Sequence, residues 1–449
     1  MEKITILGAG ASGLSCSFHL GHQNCDIFER NSFSGGHIYS HNRDGCIWDE
    51  GPHVSFTQHQ YVKDLFEESV EGNFLEYEVN LSNYYKGNWI PHPAQSNLWA
   101  FPQSIRKSCL DDFLKSREKI ESKKKPANYL DWIEEAFGKT FANTFTAIYT
   151  DKYWTCNPSQ LATDWVGNRV FYPDIETVKK GYISQPDRSS HYVKKVRYPS
   201  KGGYVNFLNK FRNNAKIHFN HEVEFIDFEE KFIKFKNGKQ HQYERLISTL
   251  PITELIKAAI KVPNKVMSAV KRLRCSSVLL VNVTANHDPL KPFHWLYVYD
   301  KDKISTRINH IDLLSPNNTP IGKTGIQVEV YSSPYRPFNI SHQDICKRVV
   351  QELQEMGLIK KPETAHTQFV QYANVIFDHE RREAQECVLT WLEQFGLKRE
   401  KDDLDPMTDW QTQDSIKLGQ LVLAGRFAQW KYFWSDDCIL RGKFIGTNF

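Results

Sequence analysis

The 449 residues suffice for two or three packed modules around a sizeable core. Lys plus Arg (57) barely exceed Asp plus Glu (53), and this formal charge of +4 leaves no electrostatic footprint for nucleic acid. Eleven Trp, 20 Tyr and 28 Phe are enough large rings to furnish both a core and a cofactor pocket.

The short run Lys123-Lys124-Lys125 reads as a solvated helix end or loop. No window of 18 apolar residues occurs, so no membrane span is expected. Nine dispersed cysteines, without CxxC pairs or Cys/His clusters, predict free thiols in a reducing cytosol and no metal site. A strand starting at residue 3 leaves no room for a targeting segment ahead of it, so the expected location is cytoplasmic.

Residues 3–7, Lys-Ile-Thr-Ile-Leu, predict a buried strand. Gly8-Ala9-Gly10-Ala11-Ser12-Gly13 follows, a G-x-G-x-x-G leading into a helix through Leu20. Gly8 allows the tight turn, Gly10 lets backbone approach a pyrophosphate, and Gly13 lets helix pack on strand. The helix N-terminus then offers its free N–H groups, those around Ala11 and Ser12 among them, to phosphate. Asp26-Ile27-Phe28-Glu29 is a second strand ending in an acid, placed to accept ribose hydroxyls. Strand, glycines, helix, strand and acid arrive in order, which predicts a dinucleotide site. Arg30 and then Gly35-Gly36-His37 favour FAD over NAD, because a glycine pair there lets a second loop wrap the pyrophosphate.

Further along, Glu50-Gly51-Pro52-His53 closes an irregular stretch. Together with Gly8–Gly13, Glu29 and Gly35-Gly36, it resembles the flavoprotein superfamily of amine oxidases, protoporphyrinogen oxidases and UDP-galactopyranose mutases. The Gly-Pro-His element is most similar to the mutases, where it lies beside the flavin. Tyr149-Thr150-Asp151-Lys152-Tyr153-Trp154 resembles the mutases' mobile substrate loop. Tyr198–Tyr204 resembles the segment that re-enters the FAD domain, Leu246–Pro251 the strand and turn after it, and Gly425-Arg426 through Tyr432 the C-terminal flavin segment.

The resemblance implies an α/β fold: a discontinuous Rossmann-like FAD-binding domain (1–90, 197–253 and 396–449), a helical insertion (91–196) and an antiparallel-sheet substrate domain (254–395). It implies that Gly425 and Arg426 contact the flavin or its pyrophosphate, with Val223 near the adenine edge. Arg307 and Tyr432 would grip a substrate diphosphate. Tyr149, Lys152, Trp154 and Trp434 would complete the substrate site, and His53 would hold flavin or a sugar hydroxyl. In the mutases the reduced flavin's N5 attacks the anomeric carbon, and pyranose and furanose interconvert without net redox change. The implied substrate is therefore a nucleotide sugar, and a homodimer is possible within this reading. Two departures stand out. The mutase pattern has a second His where this chain has Phe56, and an Asp where it has Trp434. Both leave room for a plain FAD-dependent oxidoreductase with an aromatic pocket from Trp430, Tyr432, Phe433 and Trp434, or for a non-catalytic flavin-binding protein.

Local patterns fill in the rest. Lys216–Phe219, Glu222–Phe228 and Lys231–Phe235 alternate as strands, with Asn237-Gly238 as a turn. Asp131–Phe137 predicts a helix capped by Gly138, and Thr140–Ile148 a second amphipathic stretch whose Phe141 and Phe145 belong to the core. Ser277–Thr284 and Ile326–Ser332 read as strands, Gln343–Met356 as a helix capped by Gly357, and Ser315–Gly325 as a polar loop. Residues 418–424 predict a last buried strand and Asp436–Gly442 the beginning of a closing helix.

Overall fold

The computed structural model describes residues 3–118, 125–167, 170–186, 195–286, 293–401, 403 and 417–449. Lys123 and Lys124 fall outside them.

Ile4–Leu7 forms the central strand of a five-stranded parallel sheet, flanked by Arg245–Ser248 on one side and Cys25–Phe28 on the other. Ile217–His218 and Leu421–Leu423 are its edges. All four residues of the central strand are buried, as a parallel sheet covered on both faces requires. One cover is the helix Ala11–Leu20, itself packed against the closing helix Ser435–Asn448. That contact is close: a Cβ on Gly442 would lie 2.2 Å from Ser15 Oγ, and Ser15 Oγ donates to the Ile439 carbonyl at 2.7 Å. Of the alternating strands expected after residue 216, Ile217–His218 joins this sheet. Val223–Asp227, Phe232–Phe235 and Gln240–Gln242 form a separate three-stranded sheet, with Gly238 turning between the last two at φ 83°.

A seven-stranded sheet stands over this unit. Its order is Pro362–Val375, Cys275–Asn286, Lys323–Ser332, Arg307–His310, Trp295–Val298, Leu81–Tyr85 and Asn88–Pro91. The strands expected at 277–284 and 326–332 are both here, longer than predicted. Residues 81–90, assigned from sequence to the nucleotide-binding unit, extend this second sheet instead. Leu81–Tyr85 runs parallel to Trp295–Val298, a pairing no local pattern announces.

Period-two alternation gives this sheet two different faces. Ile326, Val328 and Val330 turn with Leu279, Val281 and Ile308 toward the helix His342–Glu355 and form one core with Ile345, Val349 and Leu353. Ser341 caps that helix by accepting from Asp344 N at 3.1 Å. The other face carries Tyr297, Arg307, Glu329 and Tyr331 and looks into the cavity described below.

The insertion is helical, as expected: Gln103–Glu118, Tyr129–Phe137, Ala147–Trp154 and Ile175–Ile183. Asn128 caps the second, and Gly138 ends it at φ 79°. Phe141 and Phe145 are core residues, on a stretch that passes through a π-helical turn at Ala142–Thr146. Tyr149–Trp154, read from the resemblance as a loop, is the helix that follows. The closing helix expected to begin at Asp436–Gly442 runs from Ser435 to Asn448.

Candidate functional site

One cavity of about 950 Å³ begins at the glycine loop and ends under the seven-stranded sheet. At the glycine end it is lined by Gly8, Gly10, Ala11, Ser12, Glu29, Arg30, Gly36, His37 and Val223. Gly8 turns at φ 97°, and a Cβ there would meet Thr249 Oγ1 at 2.3 Å. Gly13 does not line the cavity. Its missing side chain lets the helix sit on the strand, since a Cβ would fall 2.0 Å from Gly8 O. Gly10 differs from both: a Cβ there would have Gly36 Cα at 3.7 Å and otherwise point into cavity space. The two glycine loops are joined, Gly35 N donating to Ala9 O at 2.8 Å. Glu29 is buried and braces this end, accepting from Ala9 N at 2.8 Å and Asn31 N at 2.9 Å. Its carboxylate has lone pairs left for ribose hydroxyls.

Gly425 and Arg426 reach the same cavity from the far end of the chain. Arg426 Nη2 donates to Asn374 Oδ1 at 2.8 Å, and the guanidinium lies 4.9 Å from the Tyr432 ring centre. Its Nε is buried with no hydrogen-bond partner among the described residues. A buried unpaired donor on a charged group is expensive, and an anionic group in the cavity would satisfy it. The open face of Gly10, the close approach of Gly36 to it, the braced Glu29 and the waiting Arg426 together fit FAD.

His53 lines the cavity beside Gly51 and Pro52. Its ring stacks on Tyr204 at 5.5 Å, and Nδ1 bonds the Gly51 carbonyl at 3.0 Å. Burial pushes its pKa down to about 4, against the smaller upward pull of Glu50, so the imidazole is neutral. With Nδ1–H given to Gly51, Nε2 is left as an acceptor.

Beyond these segments the cavity continues as a second arm walled by tyrosines, the candidate substrate arm. Tyr149, Tyr153, Trp154, Tyr297, Arg307, Tyr331, Tyr432 and Trp434 all line it, as their sequence positions or strand faces require. Arg307 and Glu329 face each other across adjacent strands. Arg307 donates from Nε and Nη2 to the two carboxylate oxygens, both at 2.7 Å. Burial alone would lower the arginine's pKa; the carboxylate outweighs it and raises the value. Phe56 and Trp434, the two departures from the mutase pattern, are in contact, their rings edge-to-face at 4.8 Å.

Two sequence expectations are not met. Lys152 is not in the cavity wall: its side chain runs away from it, buried, to the carbonyls of Val298 and Asp300. Trp430 is a fully buried core residue, so of the four proposed pocket aromatics only Tyr432, Phe433 and Trp434 reach the cavity. Glu329, Tyr297, Tyr331 and Asn374 were missed. The signal for two of them was present, since Gln-Val-Glu-Val-Tyr (327–331) sets polar residues at every second position of an otherwise apolar strand.

This fold, with its glycine-lined cavity crossed by Arg426, defines an FAD-dependent enzyme. The model of the flavin containing amine oxidoreductase family matches residues 11–443, and the chain belongs to that family. Among solved structures, the chain is similar to a reduced UDP-galactopyranose mutase at 23% identity and TM-score 0.87, over 99% of this chain and 95% of the other. It is similar to a putative protoporphyrinogen oxidase from Exiguobacterium sp. 255-15 at 13% identity and TM-score 0.71, over 98% and 97%. A putrescine oxidase bound to putrescine matches at 12% identity and TM-score 0.61, over 98% and 97%. These likenesses establish the fold. Among the described residues no helix is long and apolar enough to cross a membrane.

Proposed function

We propose that this flavoenzyme acts on a nucleotide-diphospho sugar, isomerising it in the manner of a UDP-galactopyranose mutase. The observation that carries this reading is the guanidinium of Arg307 in the wall of the arm, held in place by Glu329 through Nε and Nη2. A planar fork fixed in this way suits a diphosphate, and Arg307 retains Nη1, a donor that Glu329 does not occupy, for a diphosphate oxygen.

The bound flavin supplies the chemistry at the sugar's anomeric centre. The protein's own residues bind and orient. Tyr149, Tyr297, Tyr331 and Tyr432 offer hydroxyls, and burial raises the pKa of the first three, so these remain protonated donors. Neutral His53 offers an acceptor without adding charge. The Phe56–Trp434 pair presents an apolar wall where the mutase pattern has two polar residues, which supports a sugar other than galactose.

A second reading, oxidation of an uncharged or weakly basic substrate, is favoured by the aromatic lining around Tyr432, whose ring lies 5.9 Å from Trp154 and 6.2 Å from Trp165. One assay set separates the two. The purified protein is reduced with dithionite and incubated with a panel of UDP- and dTDP-sugars, and products are resolved by chromatography and NMR. Furanose products support the proposal. No change in any nucleotide sugar, together with oxygen consumption by the oxidised enzyme on an amine panel, overturns it in favour of oxidation.

A further inference from the structure

Lys152 sits one residue before Tyr153 and three after Tyr149, on a helix whose tyrosines face the cavity. Its own side chain points the other way and is only 7% exposed. Among the described residues, both of its hydrogen bonds go to backbone: Nζ donates to Val298 O at 2.9 Å and to Asp300 O at 3.2 Å. Those carbonyls bracket Tyr299 and follow directly on Tyr297, at the end of the strand Trp295–Val298. The lysine thus joins two walls of the substrate arm from behind.

The aromatic geometry in front of this link is tight. Tyr149 packs edge-to-face on Tyr297 at 5.4 Å and on Tyr299 at 6.1 Å, and stacks on Tyr153 at 5.8 Å. Tyr297 is the strand partner of Arg307. A shift of the helix away from Trp295–Val298 would separate the Tyr149 hydroxyl from that of Tyr297 and from the guanidinium beside it. The helix has a second fastening, but to a different strand end. Arg336 donates to Asp151 at 2.7 Å and to Lys152 O at 3.0 Å, and Thr155 Oγ1 donates to Ser333 Oγ at 2.6 Å. That fastening fixes the helix end; toward Trp295–Val298 the helix is held by the packing of Tyr149 and by the hydrogen bonds of Lys152.

Burying an ammonium group is costly, and burial brings the Lys152 pKa down to about 7. A neutral amine has two N–H groups, one for each carbonyl. The link therefore needs no charge, only a chain of the right length with two donors.

We propose that Lys152 is a positioning residue, which ties the helix bearing Tyr149 and Tyr153 to the strand bearing Tyr297 and so sets the width of the substrate arm. The proposal rests on the reading that this arm receives a nucleotide-bearing substrate. It is tested on the FAD-loaded protein with Lys152→Met, which ends one atom short and has no donor, and Lys152→Gln, which also ends one atom short but keeps two. The readouts are FAD content, amide hydrogen exchange over 295–300 and affinity for UDP as probe. Lys152→Met is expected to keep its FAD, to lose protection over 295–300 and to bind UDP about tenfold more weakly or worse. Lys152→Gln should restore most of both. An FAD-replete Lys152→Met with unchanged protection, or with lost protection and unchanged UDP affinity, overturns the proposal. If Lys152→Met does not fold, Lys152→Gln decides: failure to protect 295–300 or to bind UDP as the wild type does overturns it as well. Wild-type protein that binds neither UDP nor dTDP overturns the functional reading instead, and the exchange comparison still decides whether the link exists.

Discussion

Arg307 and Glu329 are direct partners on neighbouring antiparallel strands, joined by two hydrogen bonds of 2.7 Å each within the cavity wall. The carboxylate is almost wholly buried, at 3% side-chain exposure. Removing one partner leaves the other charge stranded. Arg307→Met should therefore destabilise the protein by about 3–5 kcal/mol in urea unfolding. The double variant Arg307→Met/Glu329→Leu should cost less than the single one, because no charge is left unpaired. A double variant as unstable as Arg307→Met alone would show that the pair is not the source of the loss.

Two glycines of the first loop should fail in different ways. Gly13→Ala puts a Cβ 2.0 Å from Gly8 O and should give little soluble protein. Gly10→Val meets mostly cavity space and should fold, yet lack the yellow absorbance even with FAD added. Circular dichroism and flavin absorbance on both variants check the contrast.

Arg426 has a buried Nε without a partner among the described residues. If FAD supplies that partner, Arg426→Met should lower FAD affinity by about tenfold or more, the weight of a charge-assisted hydrogen bond. Titration of the apo-protein, followed by flavin fluorescence, measures it.

His53 has its pKa lowered from 6.5 to about 4 by burial. Between those two values the unfolded chain binds a proton that the folded chain does not, so stability falls as pH drops through this window. Relative to His53→Gln, which does not titrate there, the wild type should lose up to ~3 kcal/mol between pH 6.5 and 4. Equal pH dependence in the two proteins would mean that the imidazole is solvated. Histidine NMR signals at pH 5 should show one neutral ring in the wild type that is missing from His53→Gln.

The parts of this molecule that could be read from sequence are those whose physics is local. Gly8–Gly13 is a loop that only glycines allow, and Asn128 and Gly138 bound a helix by capping it. The substrate arm was less legible because it is built by pairing between distant strands. Glu329 meets Arg307, Asn374 meets Arg426 and Tyr153, and residues 81–91 join a sheet whose other strands lie some two hundred positions on. Lys152 shows the same limit in one side chain. Its place in a segment that resembles the mutases' substrate loop suggested a ligand contact, whereas the carbonyls it holds belong to a strand far along the chain.

The parallel sheet carries a consequence for how the protein is made. Its centre is laid down with the first few residues, but the strand Leu421–Leu423, and the Gly425-Arg426 turn that follows it, emerge only after both substrate-side units have been synthesised. A nascent chain stopped before residue 421 would display both glycine loops without the Gly425-Arg426 turn that completes the cofactor site. Capture of FAD should therefore be a late event. A growing chain must hold an unfinished sheet edge, Arg245–Ser248, through that whole interval, and cells short of chaperone capacity should accumulate flavin-free aggregate rather than flavin-free enzyme.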